Sequence, residues 1–352
     1  MKLYRYRPLS DFLYKELNYQ ELYLASYNEL NDPLDLNVNI DFMPPSKRET
    51  YYLIWSFYKS TMFEIISGMN STTNKNDIVE IINSKQKIEE YIELVYGQLS
   101  KIQERKGSVT INDLEQLTLF NTQNSSKLFC FESFNKFIST ISDKFFNNTY
   151  ISCFSEDFKN TLMWAHYASK HSGICLEFDF ANSQSFPIIK KNHTKQDRTT
   201  EIENFSYLTS ESLVYYKKLK KVEYQATPQN LNFYYFSPII ENSNDCDVIG
   251  LSKSWTHQYA ISLESLFSIK TLPWKYEKEW RIIDLKFGEP LEPEERIKHF
   301  HLNSLSAIYF GYNTPENVKK RIFKIFESQF ISLNYYCMDK NLNVNPWYLN
   351  ED

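Results

Sequence analysis

Two carboxylates separated by one residue, Glu277 and Glu279, sit in the stretch Trp274-Lys275-Tyr276-Glu277-Lys278-Glu279-Trp280-Arg281-Ile282-Ile283. The stretch is aromatic through its middle and β-branched at its end, which predicts a short strand. Alternation along a strand then puts Lys275, Glu277, Glu279 and Arg281 on one face and Tyr276, Lys278, Trp280 and Ile282 on the other. A carboxylate bonded to a ribose hydroxyl stabilises the oxocarbenium-like state formed as an N-glycosidic bond breaks. A second carboxylate beside it can orient or deprotonate an acceptor nucleophile. The same pattern also serves as a solvated ion-pair lattice on a sheet face, and these residues alone leave both uses open.

Three further groups have the right types for a binding site. Arg5 and Arg7 share one face of a predicted first strand, and either can hold a phosphate or carboxylate in its planar fork, or pair with Asp32 or Asp35. Ser152 and Ser155 flank a strand-to-helix turn, where they can bond a sugar or pyrophosphate or cap the turn. Trp164, Tyr167 and His171, spaced i, i+3 and i+7, form an aromatic and imidazole helix face suited to a planar ring, or equally to a core with a histidine at the helix end. No metal-ligand pattern stands out: HExxH is absent, and His166 with His171 is an i, i+5 pair that does not share a helix face. No GxSxG nucleophile elbow and no contiguous PD-(D/E)xK nuclease motif is present.

The elements that must position these residues alternate along the chain. Strands are predicted at residues 2–7, 21–26, 151–155, 174–180, 274–283 and 305–310, with closing strands at 331–337 and 344–349. Helices are predicted at 160–170, with Gly173 as its cap, at 250–270 and at 315–329. From about 46 to 148 apolar residues recur at helical spacing, as in Ile78, Ile81, Ile82 and Ile88, Tyr91, Ile92, Val95, and residues 70–76 read as a polar loop. Residues 186–245 are polar, Asn- and Tyr-rich and weakly periodic. The expected architecture is α+β: a mixed, largely antiparallel sheet core with packed helices, built as a single domain over 1–352. A large helical insertion at 46–148 and a variable insert at 186–245 interrupt it.

Composition narrows the function classes. Hydrophobic residues at 42% and charged residues at 24% favour a packed core over disorder, and an aromatic share of 16% points to one large aromatic-rich core. Only seven glycines are present and neither GxGxxG nor GxxxxGK[ST] occurs, which removes the support for Rossmann and P-loop sites. A net charge of −5 argues against a uniformly basic nucleic-acid binder, and the run Lys217-Lys218-Leu219-Lys220-Lys221 reads as a local patch on a helix end or loop. Five scattered cysteines without a CxxC pair suggest neither a disulfide framework nor a zinc ribbon. With no secretory signal and no apolar run of about 18 residues, a cytoplasmic protein without membrane spans is expected.

Four blocks together resemble the bacterial and phage-associated domain of unknown function 2971 family. They are Leu3-Tyr4-Arg5-Tyr6-Arg7-Pro8, Leu24-Ala25-Ser26 through Asn31-Asp32-Pro33-Leu34-Asp35, Ser152-Cys153-Phe154-Ser155 through Trp164-Ala165-His166-Tyr167 and His171-Ser172-Gly173-Ile174-Cys175, and Trp274 to Arg281. The resemblance covers roughly 1–40, 150–182 and 270–350 and carries no assigned activity. The order of the blocks is also similar to that of ADP-ribosyltransferases, although their serine motif is replaced here by Ser152-Cys153-Phe154-Ser155. That similarity implies NAD as cofactor, with Glu279 on the nicotinamide ribose and Glu277 assisting the acceptor. It further implies Arg5 or Arg7 on pyrophosphate, Ser152 and Ser155 lining the site, and Trp164, Tyr167 and His171 forming the ring-binding helix face. Three readings follow: an NAD-consuming transferase acting on nucleic acid or protein as a toxin or antiphage effector; a metal-dependent nuclease using Glu277 and Glu279; or a non-enzymatic sensor or partner-binding module.

Overall fold

The computed structural model describes residues 1–32, 35, 38–51, 53, 54, 56, 57, 92–117, 130–180, 184–189, 214–227, 229–235, 266–285, 290–329 and 331–349. The periodic segment around Ile78 to Ile88, the polar stretch at 70–76 and the predicted helix over 250–265 lie outside the described residues. The chain divides into two compact units, one made of Met1–Asp35, Thr149–Ala226 and Ser268–Asp352, the other of Leu36–Asn148 and Thr227–Phe267.

The first unit is mixed α+β and is built on a twelve-stranded, mostly antiparallel sheet. From one edge its strands are β16 (Val344–Pro346), β15 (Asn334–Met338), β14 (Leu305–Phe310), β6 (Ile174–Asp179), β1 (Lys2–Arg7) and β5 (Thr149–Ser155). It continues through β12 (Glu279–Leu285), β8 (Val214–Lys221), β7 (Ser185–Ile189), β13 (Ile297–Phe300) and β2 (Glu21–Tyr23), and β3 (Ala25–Ser26) pairs with β5 off this path. A separate parallel pair joins β9 (Glu223–Gln225) to β11 (Ile269–Thr271). The lysine run 217–221, expected on a helix end or loop, is instead part of β8, which is paired on both sides.

Register assigns the two faces of the sheet. Tyr4 is opposite Ser155, and Glu279 and Arg281 are opposite Ser155 and Cys153, so Tyr4, Tyr6, Cys153, Ser155, Glu279 and Arg281 share one face, the tyrosine face. Leu3, Arg5, Arg7, Ser152, Phe154 and Trp280 share the other, the phenylalanine face. Each face has its own buried cluster: Trp164, Met163 and Tyr309 pack with Tyr4 and Tyr6, whereas Leu13, Leu17, Phe178 and Ile282 pack with Leu3 and Phe154.

Two helices cover these faces. The helix Asp11–Tyr19 starts where the Ser10 side chain accepts from the Leu13 N–H, and it buries Leu13 and Leu17, four apart, on the phenylalanine face. The helix Thr161–Tyr167 starts at Asn160, whose side chain accepts from the Leu162 and Met163 N–H groups, and covers the tyrosine face. It is shorter than the predicted 160–170. Ser169, Lys170 and His171 have φ of 47°, 52° and 67°, a left-handed turn that ends the helix and takes His171 off the face shared by Trp164 and Tyr167. Gly173 is not the helix cap either; a Cβ there would lie 2.3 Å from the Arg7 carbonyl oxygen, so glycine is needed for backbone contact with β1.

The predicted strand over 274–283 also needs correction. Residues Leu272–Glu277 form a 3₁₀ helix, begun by Pro273, and Lys278 turns through a left-handed conformation with φ 46° before β12 begins at Glu279. Proline fixes φ near the helical value and has no N–H to give a ladder, which explains why the aromatic run does not extend.

The second unit contains β4 (Val38–Asp41) paired in parallel with β10 (Gln229–Asn232), a helix at 92–106 and the helix Phe131–Asn147. Phe57 packs edge-on against Phe134 with ring centroids 5.1 Å apart, in keeping with the apolar helical spacing of this region.

Candidate active site

A fork in the sheet opens a cavity. The neighbours β1 and β5 are in register at Tyr4–Ser155, and beyond that point Arg5 to Arg7 part from Ser152 to Phe154. The opening holds a cavity of about 830 Å³, within the size range of small-molecule and cofactor sites. Its lining comes from both sheet faces: Cys153, Glu277, Glu279, Lys270 and Tyr167 from the tyrosine side, and Arg5, Arg7, Ser152, Phe12 and Glu16 from the phenylalanine side. The cavity therefore threads the sheet at the fork.

The tyrosine-side end is a buried charge cluster. The Arg281 guanidinium is fully buried and forks onto Asp35, with Nη1 to Oδ1 at 3.0 Å and Nη2 to Oδ2 at 2.6 Å. It also donates to Glu279, from Nε to Oε1 at 2.7 Å and from Nη2 to Oε2 at 3.1 Å. The Lys270 ammonium lies among three carboxylates, 2.8 Å from Glu277, 3.3 Å from Glu279 and 3.5 Å from Asp35. Among the described residues no group of three His, Cys, Asp or Glu side chains could hold a metal ion; these three carboxylates meet at an ammonium group.

Glu277 and Glu279 are equally buried, each 3% exposed, yet their surroundings differ. Arg281, Lys270 and the Cys153 thiol fill the roughly four acceptor sites of the Glu279 carboxylate. Burial opposes its ionisation, but Arg281 and Lys270 outweigh burial and hold the carboxyl down at about 2. Among the described residues, Glu277 accepts only from the Tyr167 hydroxyl at 2.5 Å and from Lys270. Burial, with the neighbouring Glu279 charge, raises its carboxyl above the ordinary range although Lys270 and Tyr167 pull it down. Burial and the Glu277 charge also raise the Tyr167 phenol, which accepts from Asn31 Nδ2 at 2.7 Å. One carboxylate is thus a saturated, permanent anion, and its neighbour is a carboxyl with open acceptor sites and a raised proton affinity.

At the fork the two arginines also differ. Arg7 is neutralised by Glu16, with Nε to Oε2 at 2.7 Å and Nη2 to Oε1 at 2.5 Å. Arg5 donates to the Ser152 hydroxyl and lies over the Phe154 ring at 5.7 Å, and among the described residues it has no carboxylate partner. Burial and the nearby Arg7 charge pull its guanidinium down to about 10, so it stays charged at neutral pH. A half-buried cation that lines a cavity and has no carboxylate partner among the described residues can receive an anion.

Of the nine residues singled out in the sequence, Arg5, Arg7, Ser152, Ser155, Tyr167, Glu277 and Glu279 line this one cavity. Ser155 also ties the turn, donating to the Glu277 carbonyl oxygen at 2.6 Å and accepting from the Asp157 N–H. Trp164 and His171 lie elsewhere. Trp164 is fully buried and donates to the Phe158 carbonyl, while His171 lies 4.7 Å from the Tyr312 ring, its Nδ1 without a hydrogen-bond partner among the described residues. Lys270 was not apparent from the sequence. Its β-branched flanks, Ile269 and Thr271, mark a strand, but nothing local marks its three distant carboxylate partners.

These features describe a mixed α+β protein with a charged cavity at a sheet fork. Residues 163–282, which include Tyr167, Lys270, Glu277, Glu279 and Arg281, match the family described as protein of unknown function (DUF2971). No curated protein and no solved structure matches the chain. Among the described residues no helix is long and apolar enough to cross a membrane.

Proposed function

We propose that the cavity binds NAD⁺ and that the protein is an ADP-ribosyltransferase-like enzyme, an effector that passes ADP-ribose to a nucleic-acid or protein acceptor. The observation that carries this reading is the presence in one cavity of Arg5 and Glu277: among the described residues the first has no carboxylate partner and the second is a buried carboxylate with open acceptor sites. The first suits a pyrophosphate and the second a ribose hydroxyl or the proton of an acceptor. A volume of about 830 Å³ is enough for a dinucleotide.

In this mechanism the bond from ribose C1′ to the nicotinamide nitrogen breaks, and its electron pair leaves with neutral nicotinamide. The permanent charge of Glu279 stabilises the positive charge left on the ribose without exchanging a proton. The acceptor nucleophile attacks C1′ and its proton passes to Glu277, whose raised proton affinity fits that transfer. Tyr167, held between Asn31 and Glu277, fixes the carboxylate oxygen that accepts its hydroxyl.

The test is thermal unfolding with NAD⁺ together with a nicotinamide-release assay on the wild type and on Glu277→Gln. NAD⁺ at a hundred times its Kd should stabilise both proteins by about 2.7 kcal/mol, with release from the wild type alone. No stabilisation and no release, with nucleic acid or candidate proteins present, would remove the reading.

A further inference from the structure

The cavity has a second end that the chemistry above leaves unused. Phe12 lines it from the first turn of the helix Asp11–Tyr19 and is 74% exposed, and among the described residues its ring has no aromatic or cationic partner. Leu13, the next residue, and Leu17, one turn further on, are fully buried, so the helix that carries Phe12 is anchored to the sheet. Glu16, paired with Arg7, ties the same helix to the fork. Glu277 and Glu279, each 3% exposed, line the tyrosine-side end, Phe12 stands at an exposed mouth on the phenylalanine side, and Arg5 lines the fork where the two sheet faces meet.

We infer that Phe12 is the stacking platform for the second ring of a dinucleotide, which sets the direction in which the ligand threads the sheet. The inference rests on the reading that the carboxylate end holds the reacting ribose. With the nicotinamide ribose at Glu277 and the pyrophosphate at Arg5, the adenine ring lies at the mouth against Phe12. An aromatic face there accepts a base through stacking without hydrogen bonds, and an exposed phenylalanine gains most from being covered.

The experiment measures binding of ADP-ribose, nicotinamide mononucleotide and NAD⁺ to the full chain as wild type, Phe12→Ala and Phe12→Trp. Loss of one stacked base should weaken ADP-ribose and NAD⁺ about tenfold in Phe12→Ala and leave nicotinamide mononucleotide within about twofold. In Phe12→Trp, ADP-ribose should quench the added fluorescence relative to wild type, and nicotinamide mononucleotide should not. Unchanged ADP-ribose affinity in Phe12→Ala would overturn the inference, as would weakening confined to nicotinamide mononucleotide, which would reverse the threading. ADP-ribose bound through Phe12 without nicotinamide release from NAD⁺ would keep the platform and remove the transferase reading. Failure of the wild type to bind any of the three would remove both.

Discussion

Glu177 and Glu277 are made from the same parts and end in opposite states. Each is buried at 3% exposure in the first unit, and each accepts from a tyrosine hydroxyl and a lysine ammonium. Glu177, on β6, receives Lys2 at 2.8 Å, Ser306 at 2.7 Å and Tyr309 at 2.8 Å. Burial opposes its ionisation, but these donors outweigh burial and its carboxyl falls below the ordinary range, whereas that of Glu277 rises. The third donor, Ser306, and the two lysines account for the difference. Lys2 serves Glu177 directly, while Lys270 is shared among Glu277, Glu279 and Asp35, and Glu279 adds a like charge. A shared counter-ion leaves one carboxyl of the group under-compensated, and in this protein that carboxyl faces the cavity.

Removing a cation from each cluster should have the largest effect. Arg281→Met leaves Asp35 and Glu279 buried without their main partner and should cost about 3–5 kcal/mol in urea unfolding. Lys2→Met removes a half-exposed partner and should cost less than about 1 kcal/mol. Equal costs would mean that the two clusters do not differ in the way their charges are held.

Acid sharpens the contrast. The folded-state carboxyl of Glu279 at about 2 lies below its ordinary value of 4.5, so its stabilisation is complete above about pH 4.5 and is lost as pH falls toward 2. A difference of that size corresponds to about 3 kcal/mol. Urea midpoints taken across this window should fall steeply for the wild type and less steeply for Glu279→Gln. Parallel slopes would show that Glu279 is not held as a permanent anion.

Exchanging one carboxylate for an amide in each cluster separates chemistry from packing. Glu277→Gln should lower nicotinamide release about 100-fold with little change in stability, because Lys270 keeps two carboxylates. Glu177→Gln should cost about 1–3 kcal/mol and leave release per folded molecule unchanged. A large activity loss in Glu177→Gln with stability retained would move the reactive carboxyl to the other cluster.

The sequence makes one of these clusters easier to find than the other. Strand β1 over Lys2–Arg7 and strand β14 over Leu305–Phe310 appear where alternation predicts them, because their signals are local. Glu277, Glu279, Tyr167 and Arg5 stand out by residue type, and the register of β1, β5 and β12 brings them to one cavity. Lys270 was hidden because its three partners are distant in sequence and its own neighbours look like ordinary strand. The early end of the Thr161–Tyr167 helix was hidden because Ser169, Lys170 and His171 adopt left-handed backbone without a glycine among them. The 3₁₀ turn before β12 had a visible sign, Pro273, which the aromatic pattern outweighed.

The smallest expected effect concerns the tyrosines, which donate to both glutamates. The Tyr167 hydroxyl bond stabilises ionised Glu277, so Tyr167→Phe removes a downward pull and the Glu277 carboxyl should titrate at still higher pH. If deprotonated Glu277 accepts the acceptor's proton, the rising limb of the pH–rate profile must move the same way, with no more than about a tenfold loss of rate on the plateau. Tyr309→Phe removes the corresponding bond from Glu177, far from the reacting carboxyl in the hydrogen-bond network, and should leave the limb in place. A limb that moves toward lower pH in Tyr167→Phe, or moves equally in both variants, would show that the phenol does not set the proton affinity of Glu277. The contrast between the two glutamates would then rest on Lys270, Glu279 and the Ser306 bond to Glu177.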